Sequence, residues 1–118
     1  HVHMPGFVKN PFNYLKASDV FVLSSLYEGL PNVLIQAMLL ELPCISTNCK
    51  SGPKEILKDG EYGQLVEVGD HLEISKAILN VLEGMWKSKS IKGLEKKYSL
   101  IQIVNQYLNN PVFSNAII

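Results

Sequence analysis

Residues 19–36 read Asp-Val-Phe-Val-Leu-Ser-Ser-Leu-Tyr-Glu-Gly-Leu-Pro-Asn-Val-Leu-Ile-Gln. Asp19 leads an apolar run that closes on Ser24, the pattern of a strand buried on both faces of a parallel sheet. Gly29 marks a tight turn, and Pro31 sits in the first turn of a helix predicted over Leu30 to Glu41. Val33, Leu34, Ala37, Met38 and Leu40 form the apolar side of that helix. A strand, a glycine turn and a helix in this order make one half of a βαβ unit.

The same grammar extends in both directions. Upstream, Val2 to Phe7 reads as a strand end running into a loop at Pro5-Gly6, and Asn10-Pro11 opens a short helix to about Ser18. Downstream come a strand at Pro43–Thr47, a helix at Lys54–Lys58 stopped by Asp59-Gly60, and a strand at Gly63–Val68. Asp70 caps a longer helix to about Glu83. Gly84 to Ser90 is a break, and Ile91 to about Asn109 is predicted helical in two pieces around Ser99. Strand and helix alternate four times through short connections. The expected fold is therefore α/β, a Rossmann-like parallel sheet of about four strands flanked by helices. Residues 1–110 form the domain in this reading, and residues 111–118 a frayed tail.

Composition narrows the function classes. The 118 residues are 47% hydrophobic and 19% charged, which suits one small globular domain. Net charge is zero, so nothing draws the whole chain to nucleic acid. No apolar run is long enough to span a membrane, and His1-Val2-His3 is not a secretory leader. An opening without Met suggests a fragment or a processed chain. All eleven basic residues are lysine, so a bound anion must rely on lysines, backbone N–H groups or a helix N-terminus. Cys44 and Cys49 read as two reduced thiols rather than zinc ligands. Lys87, Lys89, Lys92, Lys96 and Lys97 form a basic face, read as solvated, with contact to an acidic membrane surface as the second reading.

The candidate site follows from topology. Ligands of parallel α/β sheets bind beyond the carboxyl ends of the strands, which puts Glu28 at the functional edge. Gly29 lets a ligand approach the backbone, and Gly29, Leu30, Asn32 and Val33 offer N–H groups at the positive end of a helix. Pro31 has none to offer. Gln36 lies about two turns on, its backbone roughly 10 Å from Glu28 at 1.5 Å per residue. A diphosphate with a sugar on each side spans such a gap. Equally, Glu28 could be no more than an acid favoured by the helix dipole, with Gln36 an ordinary surface residue. Glu55 reads as a helix-start acid, and His1, His3 and His71 share no catalytic spacing.

The string Asn10-Pro11, Ala17 to Ser25 and Tyr27 to Met38 resembles retaining glycosyltransferases of the GT-B fold, specifically glycosyltransferase family 4. Pro43 to Thr47, Ser51 to Leu57 and Gly63 to Val66 look like the next block of that family. The resemblance runs from residue 2 to about 83. It implies an incomplete C-terminal donor-binding domain, a nucleoside diphosphate sugar as substrate and no metal cofactor. It also implies a glycan or lipid-linked acceptor held by an N-terminal domain outside this chain. Glu28 falls on the acid that touches the transferred sugar. Gln36 falls on a second acid that usually touches the nucleotide ribose, so charge assistance is lost there. Phe7 and Val8 fall near the nucleobase, although a core Phe at a strand end is as good a reading. The resemblance places the work on the cytoplasmic side, at the inner face of the membrane, in polysaccharide or lipid-linked glycan assembly. The isolated chain is then expected to be inactive and, with one apolar strand edge unpaired, to self-associate. Two other classes stay open on the residues alone, a non-catalytic nucleotide-sugar module and a sugar epimerase. No GxGxxG or GxxxxGK[ST] loop supports a nicotinamide or P-loop protein.

Overall fold

A computed structural model describes residues 1–98. Within them the order is α1 (Phe12–Lys16), β1 (Phe21–Leu23), α2 (Asn32–Leu39), β2 (Cys44–Thr47) and α3 (Pro53–Ile56). A 3-10 turn at Lys58–Gly60, then β3 (Gln64–Val66) and α4 (His71–Leu82), complete it. The strands form one parallel sheet in the order β1-β2-β3. Phe21 pairs with Cys44 and Leu23 with Ser46, while Ile45 pairs with Gln64 and Thr47 with Val66.

Side-chain alternation along the strands sorts the core into two layers. Phe21, Leu23, Cys44 and Leu65 meet Leu34, Ile35 and Met38 of α2 and Ile56 and Leu57 around α3. Val20, Val22, Ile45 and Val66 meet Ile74, Ala77, Ile78 and Val81 of α4 on the other face. All four residues of β2 are buried, as a central strand covered on both faces requires. Ile45 alone, fully buried, contributes about 1.5–3 kcal/mol relative to an exposed side chain. Cys44 and Cys49 are free and buried. The Cys44 thiol donates to the Leu42 carbonyl at 3.1 Å, and burial pushes its pKa from 9.0 up to about 12.

Helix ends follow local chemistry. Asn10 Oδ1 accepts from the Phe12 N–H at 3.2 Å and opens α1. Asp70 Oδ1 accepts from the Glu73 N–H at 3.0 Å and opens α4. Helix α2 starts at Asn32, two residues later than expected, and ends where Glu41 takes φ 60°.

Two expectations are corrected. The described residues hold three strands, not four, because Val2 to Phe7 is not a strand. Val2, Met4 and Phe7 are 91%, 88% and 95% exposed, and no strand lies beside them to complete a ladder. Residues 91–98 form turns rather than a helix. Gly93 has φ 96° and its N–H goes to the Glu95 carboxylate at 2.7 Å, which breaks the helical path. Ile91 is nonetheless buried in the first core layer, with Leu94 and Tyr98 packed against it. The rest of the predicted closing helix and the 111–118 tail lie outside the described residues.

Candidate functional site at the carboxyl ends of β1 and β2

The residues leaving β1 and β2 build a single shelf. Thr47, the last residue of β2, donates its hydroxyl to the Ser25 carbonyl at 2.5 Å, with the Leu23 carbonyl at 3.4 Å. Ser25 in turn donates its own hydroxyl to Glu28 Oε1 at 2.5 Å. Ser51 Oγ lies 3.1 Å from the Glu28 carbonyl and 2.6 Å from that of Lys50, and its one hydrogen serves either. The chain from 24 to 31 is thus pinned to the sheet from below and to the 48–52 loop from the side.

Gly52 makes the second pin possible. Its backbone sits at φ 90°, ψ −77°, and a Cβ there would lie 2.8 Å from both the Gly29 carbonyl and Pro31 Cδ. Ser51 beside it has φ 64°. Two consecutive left-handed residues fold the loop flat against the mouth of α2. Gly29 has another role than the turn expected of it. Its φ is not left-handed, and nothing lies within 4 Å of where its Cβ would be. The space beside it is open to a ligand.

Glu28 is partly buried. Among the described residues the ion pairs are Lys54–Asp59, Lys58–Glu61, Lys76–Glu73 and Lys89–Glu61, none of which uses Glu28. One carboxylate oxygen is held by Ser25, which leaves lone pairs on the other for hydroxyl donors. Pro31 precedes α2 with ψ 84°. That backbone angle turns the Asn32 N–H back onto the Leu30 carbonyl at 2.9 Å. Asn32 is therefore corrected as a backbone donor. Its side-chain Oδ1 is buried with no hydrogen-bond partner. The N–H groups of Gly29, Leu30 and Val33 have no backbone acceptor among the described residues. Gln36 is half-buried on α2, whose Leu34, Ile35, Ala37 and Met38 face the core.

Phe7 does not join the shelf. At 95% exposure it packs against nothing, so the core reading of this residue is overturned as well. Val8 is half-buried in the same extended arm before α1. Glu55, His1, His3 and His71 are exposed. A cleft of about 270 Å³ lies at the other end of α2, lined by Met38, Glu41, Leu42, Tyr62, Lys89 and Ile91. It opens at the amino ends of the strands and is unrelated to the shelf. The five lysines of the basic face are exposed, Lys89 pairing with Glu61 at 3.7 Å and Lys97 lying 5.2 Å from the centre of the Tyr98 ring. No described helix is long and apolar enough to cross a membrane. Sequence reasoning did not single out Ser25, Thr47, Ser51 or Gly52. The signal available was a hydroxyl or glycine at the carboxyl end of each successive strand.

A shelf of backbone donors beside a tethered carboxylate lies at the carboxyl edge of a parallel sheet, where α/β domains bind their ligands. The family described as glycosyl transferases group 1 matches residues 1–84, and the chain belongs to it. It is 33% identical over 91 residues to the Campylobacter jejuni enzyme N-acetylgalactosamine-N,N'-diacetylbacillosaminyl-diphospho-undecaprenol 4-alpha-N-acetylgalactosaminyltransferase, covering 77% of this chain and 25% of that one. With lipopolysaccharide 1,6-galactosyltransferase of Salmonella typhimurium the identity is 33% over 103 residues, covering 85% and 28%. The apo structure of the lipopolysaccharide outer core galactosyltransferase WaaB superposes with a TM-score of 0.69 at 28% identity, over 94% of this chain and 32% of that one. The fold is thus part of a GT-B glycosyltransferase. The chain spans about a quarter of the length of these curated relatives.

Proposed function

We propose that this chain is the donor-binding part of a retaining glycosyltransferase that uses a nucleoside diphosphate sugar. The observation that carries the reading is the Glu28 carboxylate, held on one oxygen by Ser25 and set beside the open mouth of α2. In this reading Glu28 accepts from a hydroxyl of the transferred sugar. Gly29 and Leu30 donate their N–H groups to the diphosphate, and the positive end of α2 stabilises the charge that grows on it as the sugar leaves. Pro31 shapes the mouth, and the Asn32 N–H is taken by the Leu30 carbonyl. Gln36 reaches the ribose through its side-chain carbonyl, and Phe7 and Val8, on the arm before α1, are the residues offered to the base. Electrostatic stabilisation of this kind needs no metal. The acceptor, a glycan or a lipid-linked glycan, sits on a second domain, so transfer requires more than these residues. The basic face of Lys87 to Lys97 suits work at the cytoplasmic face of a membrane.

Gln36 supports one other reading, a binding module that has lost turnover along with its second acid. Calorimetric titration of the full-length protein with nucleoside diphosphate sugars tests the site. Glu28→Ala is expected to weaken binding and Gln36→Glu to strengthen it by about three- to tenfold, the gain from a charged acceptor. Unchanged affinity in both would rule the site out, and turnover separates the enzyme from the module.

The outer edge of β1, whose residues are only half-buried, has no neighbouring strand among those described. Such an edge pairs readily with another strand. The 118-residue chain should therefore gain mass with concentration in sedimentation velocity. A monomer at every concentration would count against edge pairing.

A further inference from the structure

We infer that Ser25 is a positioning residue for transfer, the link that fixes Glu28 in the orientation the sugar needs; this rests on the donor-site reading of Glu28. Three observations carry it. The Ser25 hydroxyl donates to Glu28 Oε1 at 2.5 Å, a short charge-assisted bond. The Ser25 carbonyl is itself clamped by the Thr47 hydroxyl at 2.5 Å, and Thr47 is fully inside the sheet with 2% exposure. The Glu28 carbonyl has a separate neighbour, Ser51 Oγ at 3.1 Å, which does not involve the Ser25 side chain. The Ser25 hydroxyl contacts the carboxylate alone, and what it adds is control of that group.

The chemistry gives that control a purpose. A free glutamate rotates through several χ2 and χ3 states, and either oxygen can turn toward the ligand. With Oε1 occupied by a donor, Oε2 becomes the oxygen available to a sugar hydroxyl, in one direction. The relay runs from the rigid central strand through two hydroxyls to the proposed sugar contact. A nucleoside diphosphate without its sugar does not reach Glu28, so it is blind to the relay.

The test is a double-mutant cycle in the full-length enzyme, using a sugar donor for turnover and the bare nucleoside diphosphate for binding. Ser25→Ala should lower kcat about tenfold, the size of one charge-assisted hydrogen bond, with nucleoside diphosphate affinity unchanged. Ser25→Thr, which keeps the hydroxyl, should restore most of the activity. Ser25→Cys, which fills the same space with a poor donor, should behave like Ser25→Ala. On a Glu28→Ala background, Ser25→Ala should cost nothing further. Full activity of Ser25→Ala beside an impaired Glu28→Ala would remove the relay and leave the donor site standing. Additive losses in the cycle, or a parallel fall in nucleoside diphosphate affinity, would make Ser25 merely structural and overturn the inference. An unimpaired Glu28→Ala would remove the donor-site reading itself, and the relay with it.

Discussion

On the proposed donor-site reading, Glu28→Ala in the full-length protein should lower turnover about a hundredfold while the bare nucleoside diphosphate binds as before. The size follows from geometry: an approximately 1 Å loss of alignment at a reacting centre costs about that much. Glu28 is held by Ser25 through one oxygen and by no lysine, so removing it leaves no unpaired cation behind. The loss is then one of sugar placement, not of electrostatic balance in the fold. Glu28→Gln keeps an acceptor for the sugar and should fall between the two. Steady-state kinetics with a labelled donor, beside calorimetry with the nucleotide, reads both quantities. Equal turnover in wild type and Glu28→Ala would exclude this carboxylate from the reaction.

The second large effect is structural. Gly52→Ala should destabilise the chain by about 2–4 kcal/mol, from a left-handed backbone and an overpacked contact together. The new Cβ would press on the Gly29 carbonyl and on Pro31, both fixed parts of the shelf, at 2.8 Å. Relief requires the 48–52 loop to lift away, which releases the Ser51 contact to Glu28. Stability and sugar-donor affinity should therefore fall together. Gly69→Ala is the control. Its φ is 87° but nothing lies within 4 Å of the added atom, so only backbone strain is introduced. Urea denaturation should show a markedly larger loss for residue 52 than for residue 69. Equal losses would mean that the contact with Gly29 and Pro31 contributes nothing.

The sheet was legible because its strands carry their burial in their composition. The run from Asp19 to Ser24 read as a doubly covered strand and Pro43 to Thr47 as a short strand, and the alternation along both divides the two core layers. The position of Glu28 was legible from topology alone. Val2 to Phe7 misled because apolar content is a local property, whereas a strand needs a neighbour. Residues 91–98 misled because Gly93 and its bond to Glu95 outweigh the helical spacing around them. The Asn32 N–H was assigned to a ligand from helix rules, and a single backbone angle at Pro31 redirects it. The Thr47–Ser25–Glu28 relay was beyond sequence reasoning, since it joins residues 22 apart through hydroxyls that have no periodicity to betray them.

The side-chain hydrogen bonds that shape the shelf join partners between residues 23 and 52. That span holds two strand ends, one helix and two loops, and its hydrogen bonds to the rest of the chain are backbone ones, among them the Asn48 N–H to the Val66 carbonyl at 2.7 Å and the Ile56 N–H to the Gly52 carbonyl at 3.0 Å. A stretch tied outward only through backbone groups, which any side chain leaves in place, behaves as a cassette. It can be exchanged between relatives as one segment, carrying the Glu28 shelf along while its surroundings stay in place. Chimaeras cut outside residues 23 and 52 should keep the cassette's geometry, and cuts inside it should scramble both loops at once.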